Sequence, residues 1–273
     1  MYTQNVARIP GRHFARNLVE RRALVAQLVR RDFHMRYVGS VAGWAWGVVH
    51  PIVQLVVWYF IFVVCLKVTL EPGSLTTNYP MFLFCGFLPW MLFQETVTRS
   101  ASSLVEQSNL ITRTVFPSEV VPVSIFLSSL IHHLIALALF LVAGVFLLKL
   151  SAMALFLPLY MLLLGLFAVG VGWIAASLHV YLRDTGHVLS VVMNVWFWLT
   201  PIMIPEDKVP PQFHFLVAWN PMSWMVRAYR SRLLAPDWPG WKELTVLSIS
   251  CAGVFILGGL FFRQMKRGFA DVL

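Results

Sequence analysis

Six apolar stretches set what this chain can fold into. They cover about 41–66, 79–98, 120–149, 153–180, 188–204 and 244–262, and each matches the roughly 17–25 residues that a helix needs to cross a bilayer. In hydrocarbon every backbone N–H and C=O must find an internal partner, so such runs fold as helices. A further apolar region, 205–242, is cut by Pro205, Pro210, Pro211 and Pro221 and cannot form one continuous helix. Hydrophobic residues make up 59% of the 273 residues and charged residues 12%, whereas a soluble domain is about half apolar and a quarter charged. The expected fold is all-α integral membrane. It has six transmembrane helices per subunit and a re-entrant helical segment between spans five and six.

Ahead of span one, residues 1–40 form a cytoplasmic tail and an amphipathic interface helix; residues 41–273 form the transmembrane domain. Pro10-Gly11 breaks any early helix. From Asn17 to about Tyr37, Leu18, Leu24, Val25, Leu28 and Phe33 can share one face, flanked by Arg16, Glu20, Arg30 and Arg31. Asp32 and Arg36 stand four apart with the acid first, the favourable order for a helix pair. A helix of this kind lies in the membrane interface. Trp44, Trp219, Trp238 and Trp241 sit at expected span boundaries, where tryptophan anchors.

The net charge of +9 would suggest nucleic acid in a soluble protein, but here the cations cluster by topology. With the N-terminus inside, fourteen of the twenty-one Lys and Arg fall on inner segments, eight of them before span one. Both termini are therefore expected in the cytoplasm. No short apolar core followed by a small-residue cleavage site marks a secretory leader. Cys65, Cys85 and Cys251 are isolated within or beside apolar runs, without a CxxC pair, and read as inert thiols.

The missing motifs narrow the function further. No glycine is followed by lysine, so a phosphate-binding G-x-x-x-x-G-K-[ST] loop is excluded. No HExxH, G-x-S-x-G or carboxylate cluster is present, and a lipid-linked transferase would need carboxylates or histidines gathered at one interface. His132 and His133 are adjacent, point about 100° apart on a helix and cannot share a metal. No metal site is expected. Glu95 is the acid nearest to a span interior, so a proton-coupled carrier lacks its usual group and energy must come from a partner.

Five blocks, in order, carry a family resemblance: RDFHMRYVGSVAGWAWGVVHP (31–51), NYPMFLFCGFLPW (78–90), NLITRTVFPSEVVPVS (109–124), VYLRDTGHVLSVVMNVWFWLTPIM (180–203) and VPPQFHFLVAWNPM (209–222), followed by a terminal GFADVL. They resemble the permease subunits of type-2 ABC exporters for long polysaccharides, most of all those of O-antigen. Teichoic acid and capsule exporters share the fold, and small-molecule type-2 exporters are the alternative.

The resemblance implies a homodimer that moves a lipid-linked polysaccharide through the membrane, with no nucleic acid partner. It also implies a separate nucleotide-binding subunit that binds ATP and Mg, with no cofactor in this chain. That subunit would dock on the amphipathic helix and on the loop between spans two and three, through Arg31, Asp32, Arg36, Asn109, Arg113 and Glu119.

A hydrated sugar polymer must slide past groups that replace its water weakly and repeatedly. Aromatic faces can do so, which makes Trp46, Trp58, Tyr59, Trp90, Trp196 and Trp198 the candidate conduit residues, with interfacial anchoring as the other reading. The proline-broken region reads as an outer gate containing Asn220, Pro221, Arg227 and Arg230. Its arginines, Arg232 included, would meet lipid head groups or an anionic polymer linkage.

Overall fold

A computed structural model describes residues 21–40, 43–70, 75–76, 78–113, 116–147, 151–235 and 238–272. The basic tail before Arg21 and the start of the expected amphipathic helix lie outside these residues, as do the side chains of Trp44 and Arg113.

The elements are α1 (Arg22–Tyr37), α2 (Trp46–Trp58), α3 (Tyr79–Glu106), α4 (Ser108–Arg113), α5 (Val120–Leu147), α6 (Leu157–Tyr181), α7 (Thr185–Leu199), α8 (His214–Ala218), α9 (Pro221–Leu234), α10 (Trp241–Met265) and α11 (Phe269–Val272). Short 3-10 turns precede α2 and α6, and there is no strand among the described residues. Among the described residues, five helical stretches are long and apolar enough to cross a membrane: Trp46–Cys65, Tyr79–Glu106, Val120–Gly144, Ala152–Tyr181 and Trp241–Gly268.

The fifth expected span behaves differently. Its helix, α7, has 15 residues and stops at Leu199 rather than reaching 204. Pro201 explains the stop: its ring pushes the preceding Thr200 out of the helical region, to φ −95° and ψ 132°. The first span starts later than expected, at Trp46, and widens into a π-helix over Tyr59–Cys65. It closes where Lys67 takes a left-handed φ of 50°. The Leu66 and Val68 amides then reach back to the Ile61 and Phe62 carbonyls at 2.9 Å each, satisfying groups that a helix end leaves open.

Contacts sort the chain into two ends. At the charged end Arg99 meets Asp32, Lys266 meets Glu119, and the Tyr181 hydroxyl donates to the Met265 carbonyl at 2.8 Å. At the proline-rich end the Tyr79 hydroxyl donates to the Met203 carbonyl at 2.6 Å, and Phe156 packs edge-on against Trp238. Helix α1 and the C-terminal end of α10 share the charged end.

Between the ends, α3 is the central helix, buried against α5, α6, α7 and α9. Helices α6 and α10 run parallel and touch backbone to backbone. A Cβ on Gly258 would lie 2.2 Å from the Gly170 carbonyl oxygen, and one on Gly170 2.7 Å from the Val254 oxygen. Small residues at such a crossing let dispersion act over a long contact, which is how helices associate in lipid. Helix α1 does not stand apart on the surface. Val25 and Leu28 cluster with Val120, and Phe33 stacks on His132 with ring centroids 5.5 Å apart, so α1 follows the first three turns of α5.

Gly258→Ala should therefore force α6 and α10 apart, at an overpacking cost of about 1–3 kcal/mol, and lower the melting temperature in detergent. Gly253→Ala, where a Cβ meets nothing within 4 Å, is the control. Equal behaviour of the two variants would show that the crossing is not close-packed.

Candidate functional site

The expected gate residues form a hydrogen-bonded joint between α7 and α9. Asn220 caps α9: its side-chain oxygen accepts from the Met222 amide at 3.0 Å, and Pro221 fills the first helical position, where no N–H is needed. The same oxygen accepts the Trp196 indole N–H at 2.8 Å, while the Asn220 amide donates to the Thr200 hydroxyl at 3.0 Å. That hydroxyl donates in turn to the Trp196 carbonyl at 2.8 Å. One cap residue thus ties the last turn of α7 to the start of α9.

Arg230 completes the joint from inside. The sequence placed it among head groups, but it is only 4% exposed. Its guanidinium donates to the carbonyls of Phe82 at 3.2 Å, Pro201 at 2.6 Å and Ile202 at 2.6 Å, and stands over the Phe82 ring at 3.6 Å. The break after α7 leaves the Pro201 and Ile202 carbonyls outside any helix, and a buried carbonyl without a donor is costly. The planar five-donor fork of arginine fits several acceptors where lysine offers a point charge. Gly86 makes the room, because a Cβ there would lie 2.8 Å from an Arg230 nitrogen.

The other two arginines are also engaged. Arg227 makes a two-pronged pair with Glu206, at 3.2 and 2.6 Å, and lies over Trp224. Arg232 is buried, with the Ser231 hydroxyl at 3.2 Å and the Trp238 carbonyl at 3.4 Å.

The candidate conduit aromatics separate by exposure. Trp198 is 61% exposed, and Trp46 and Tyr59 are about half exposed. Trp58 and Trp196 are half-buried: Trp58 packs on Phe87 and Phe197, and Trp196 on Phe93 and Phe167. Trp90 departs from the expectation. It is 1% exposed, donates to Gln94 at 2.7 Å and packs against Phe93 and Phe197 inside the subunit, so it cannot touch a passing chain in this arrangement. The Trp58–Phe197 contact nevertheless brings the first and fifth spans side by side. Their outward faces, Val49, Ile52, Val53 and Val56 on α2 and Val188, Val191, Val195 and Trp198 on α7, are apolar and exposed.

At the charged end, Asp32 and Arg36 join two residues that the sequence reading had not assigned to the site. Arg99 grips Asp32 with two nitrogens, at 2.5 and 3.0 Å, and Arg36 pairs with Glu95. Arg36 also donates to the Ser129 hydroxyl at 3.1 Å and lies 2.9 Å from the His132 ring nitrogen. Two acids and two bases thus lock α1 to α3 and α5. The signal available was Glu95 and Arg99 four apart at the end of a span, the same order as Asp32 and Arg36. Burial alone would raise the Asp32 pKa, but hydrogen bonds from Arg99 and the charges of Arg99 and Arg36 hold it below the ordinary carboxylate value. A depressed carboxylate stabilises the fold above its unfolded pKa, about 4, and the contribution fades as pH falls through the folded value.

Glu119 pairs with Lys266, and its backbone carbonyl accepts the Trp173 indole N–H at 3.0 Å. Arg31 and Asn109 are exposed, on α1 and α4. No group of three or more metal-ligating side chains occurs among the described residues.

Comparisons with known proteins fit this arrangement. Residues 23–234 match the ABC-2 type transporter family. The chain is similar to the O-antigen export system permease protein RfbA of Klebsiella pneumoniae, with 26% identity over 92% of this chain and 95% of the relative. It resembles RfbA of Myxococcus xanthus at 27%, over 94% and 97%. The polysialic acid transport protein KpsM of Escherichia coli is 24% identical over 87% and 89%.

Two outcomes are expected from these contacts. Arg230→Lys should destabilise the protein by about 2 kcal/mol or more, seen as a lower melting temperature in lipid nanodiscs; an unchanged value would mean that the three carbonyls find other donors. Asp32→Ala and Arg99→Ala should be non-additive, with a coupling of about 1 kcal/mol once the part exposure of Arg99 is allowed for. Additive effects would show that the pair does not hold α1.

Proposed function

The chain belongs to the ABC-2 type transporter family, and from that membership we propose that it is the permease subunit of an ATP-driven exporter of a lipid-linked polysaccharide of O-antigen type. The observation that carries the reading is the similarity to the O-antigen permeases, which spans more than nine-tenths of both chains. Teichoic acid and capsule exporters are the neighbouring alternative, supported by the weaker similarity to the polysialic acid transport protein. ATP and Mg are bound by a separate nucleotide-binding subunit, in keeping with the missing phosphate loop.

In this reading α7 and the turn after it make the fifth of six crossings, both termini face the cytoplasm, and 205–242 dips into the outer leaflet and returns. Two copies appose α2 and α7, whose exposed apolar faces support such a pairing. Trp46, Tyr59 and Trp198 then border the path, and the half-buried Trp58 and Trp196 back them. Sugar C–H faces pack on such rings without a fixed register, so the polymer can slide.

The ATPase docks beside α1 and α4, through Arg31 and Asn109. Its closure reaches α3 through the Asp32–Arg99 and Arg36–Glu95 pairs. Helix α3 carries the motion to Phe82 and the Arg230 joint, where α9 acts as the outer gate. Motion of this kind needs rigid elements joined by contacts with two arrangements.

The test is ATP hydrolysis by the chain co-purified with its ATPase in lipid. Lipid-linked polysaccharide should stimulate the complex, and Trp198→Ala should reduce the stimulation without lowering the basal rate. A stable complex indifferent to the polymer would overturn the substrate. Full stimulation of the variant would remove Trp198 from the path.

A further inference from the structure

A groove between α1 and α5 belongs to neither the polymer path nor the charged lock. It is open to its surroundings and offers about 720 Å3 of space, within the size range of small-molecule sites. Its floor is apolar and comes from both helices: Val25 and Val29 on α1, Leu127 and Ile131 on α5. Its rim carries two exposed arginines, Arg22 and Arg30. Arg22, Ala26, Arg30 and His34 follow one another at intervals of four and so form one stripe along α1, directly beside the apolar row.

The two sides of α1 differ in charge balance. On one side Asp32 and Arg36 are matched by Arg99 and Glu95. On the other, Arg22 and Arg30 are exposed, and no carboxylate among the described residues pairs with either. The groove also lies at a particular depth. Leu127 and Ile131 lie on the same stretch of α5 as Ser129 and His132, which face the charged lock, and beyond His133 the helix is wholly apolar to Leu147. This level, where charge gives way to hydrocarbon-compatible surface, is where phospholipid head groups meet acyl chains.

We propose that this groove binds an anionic glycerophospholipid of the adjacent leaflet. Its phosphate would sit between Arg22 and Arg30, and an acyl chain would lie along Val25, Val29, Leu127 and Ile131. A bare phosphate leaves the apolar floor in water. An apolar helix leaves two arginines without counter-charge. An anionic lipid satisfies both, through charge-assisted hydrogen bonds to guanidinium and burial of its chain. Bound there, it wedges α1 against α5 and sets how firmly the docking helix sits on the membrane domain. The inference needs the membrane placement of the chain and not the identity of the exported polymer, so its failure leaves the transport reading intact.

The test is native mass spectrometry of the full-length protein in mild detergent, titrated with dioleoyl phosphatidylglycerol and, separately, with dioleoyl phosphatidylcholine. The protein should retain the anionic lipid in preference to the neutral one. Arg22→Gln with Arg30→Gln should weaken phosphatidylglycerol binding on the order of tenfold or more and leave phosphatidylcholine unchanged. Arg263→Gln with Arg267→Gln, cations outside the groove, should alter neither. Ala26→Phe narrows the groove while keeping its charge and should weaken phosphatidylglycerol as well, with an unchanged melting temperature confirming that the fold is intact. Equal retention of the two lipids, or phosphatidylglycerol binding that survives both groove variants, would overturn the proposal. So would displacement of the lipid by inorganic phosphate alone, or tighter lipid binding after removal of residues 1–18, which would make the chain's own N-terminus the occupant.

Discussion

The guanidinium of Arg230 governs the proline-rich end of this protein. A chain that breaks its helix inside a membrane domain exposes carbonyls that have no water to turn to. Here the break follows α7, and Arg230 reaches from α9 to the Pro201 and Ile202 carbonyls and to Phe82 on α3. Taking a guanidinium out of water is costly unless its donors are paired. Three carbonyl acceptors and the Phe82 ring offset that cost, and Gly86 makes the contact sterically possible. Asn220 secures the same joint from its other side by capping α9 while holding Trp196 and Thr200. The proline-broken region is thus a second set of helices keyed to the first, with Asn220, Arg230 and Arg232 turned inward.

A second lock stands at the opposite end of α3. Asp32, Arg36, Glu95 and Arg99 cancel one another's charge while joining the N-terminal helix to the central one. Both locks act on α3, which is buried along nearly its full length. A rigid helix anchored at each end by polar contacts is a suitable lever, because packed interiors transmit displacement rather than absorb it. In the proposed exporter, this lever is what would link the docked ATPase to the outer gate.

Much of the helical plan was legible because lipid imposes length and apolarity on every crossing helix. The runs beginning near 79 and 244 became helices that extend a few residues beyond their apolar cores, and those near 120 and 153 became helices over Val120–Leu147 and Leu157–Tyr181. The fifth was read too long. Apolar Ile202, Met203 and Ile204 continued the hydropathy, while Pro201 had already ended the helix. The N-P-M element was visible in the sequence, but its role as a cap shared with Trp196 depended on how α7 and α9 approach. Arg230 was misplaced for a related reason: hydropathy predicts that an arginine avoids lipid and does not say that it will turn inward to carbonyls. Trp90 was credited to the conduit because aromatics are alike in sequence, and only the packing of Phe93 and Phe197 shows that its ring faces the core. Glu95 and Arg99 do not stand out in the sequence because their partners, Arg36 and Asp32, lie about sixty to seventy residues away, on α1.

The most direct measurement is transport itself. The chain and its ATPase would be reconstituted into liposomes with lipid-linked polysaccharide in the outer leaflet, and the fraction of polymer shielded from an added glycosidase followed with and without ATP. ATP-dependent shielding in wild-type vesicles, lost when the ATPase is omitted, is the predicted result. ATP hydrolysis by an intact complex that leaves every polymer open to the glycosidase would contradict the account.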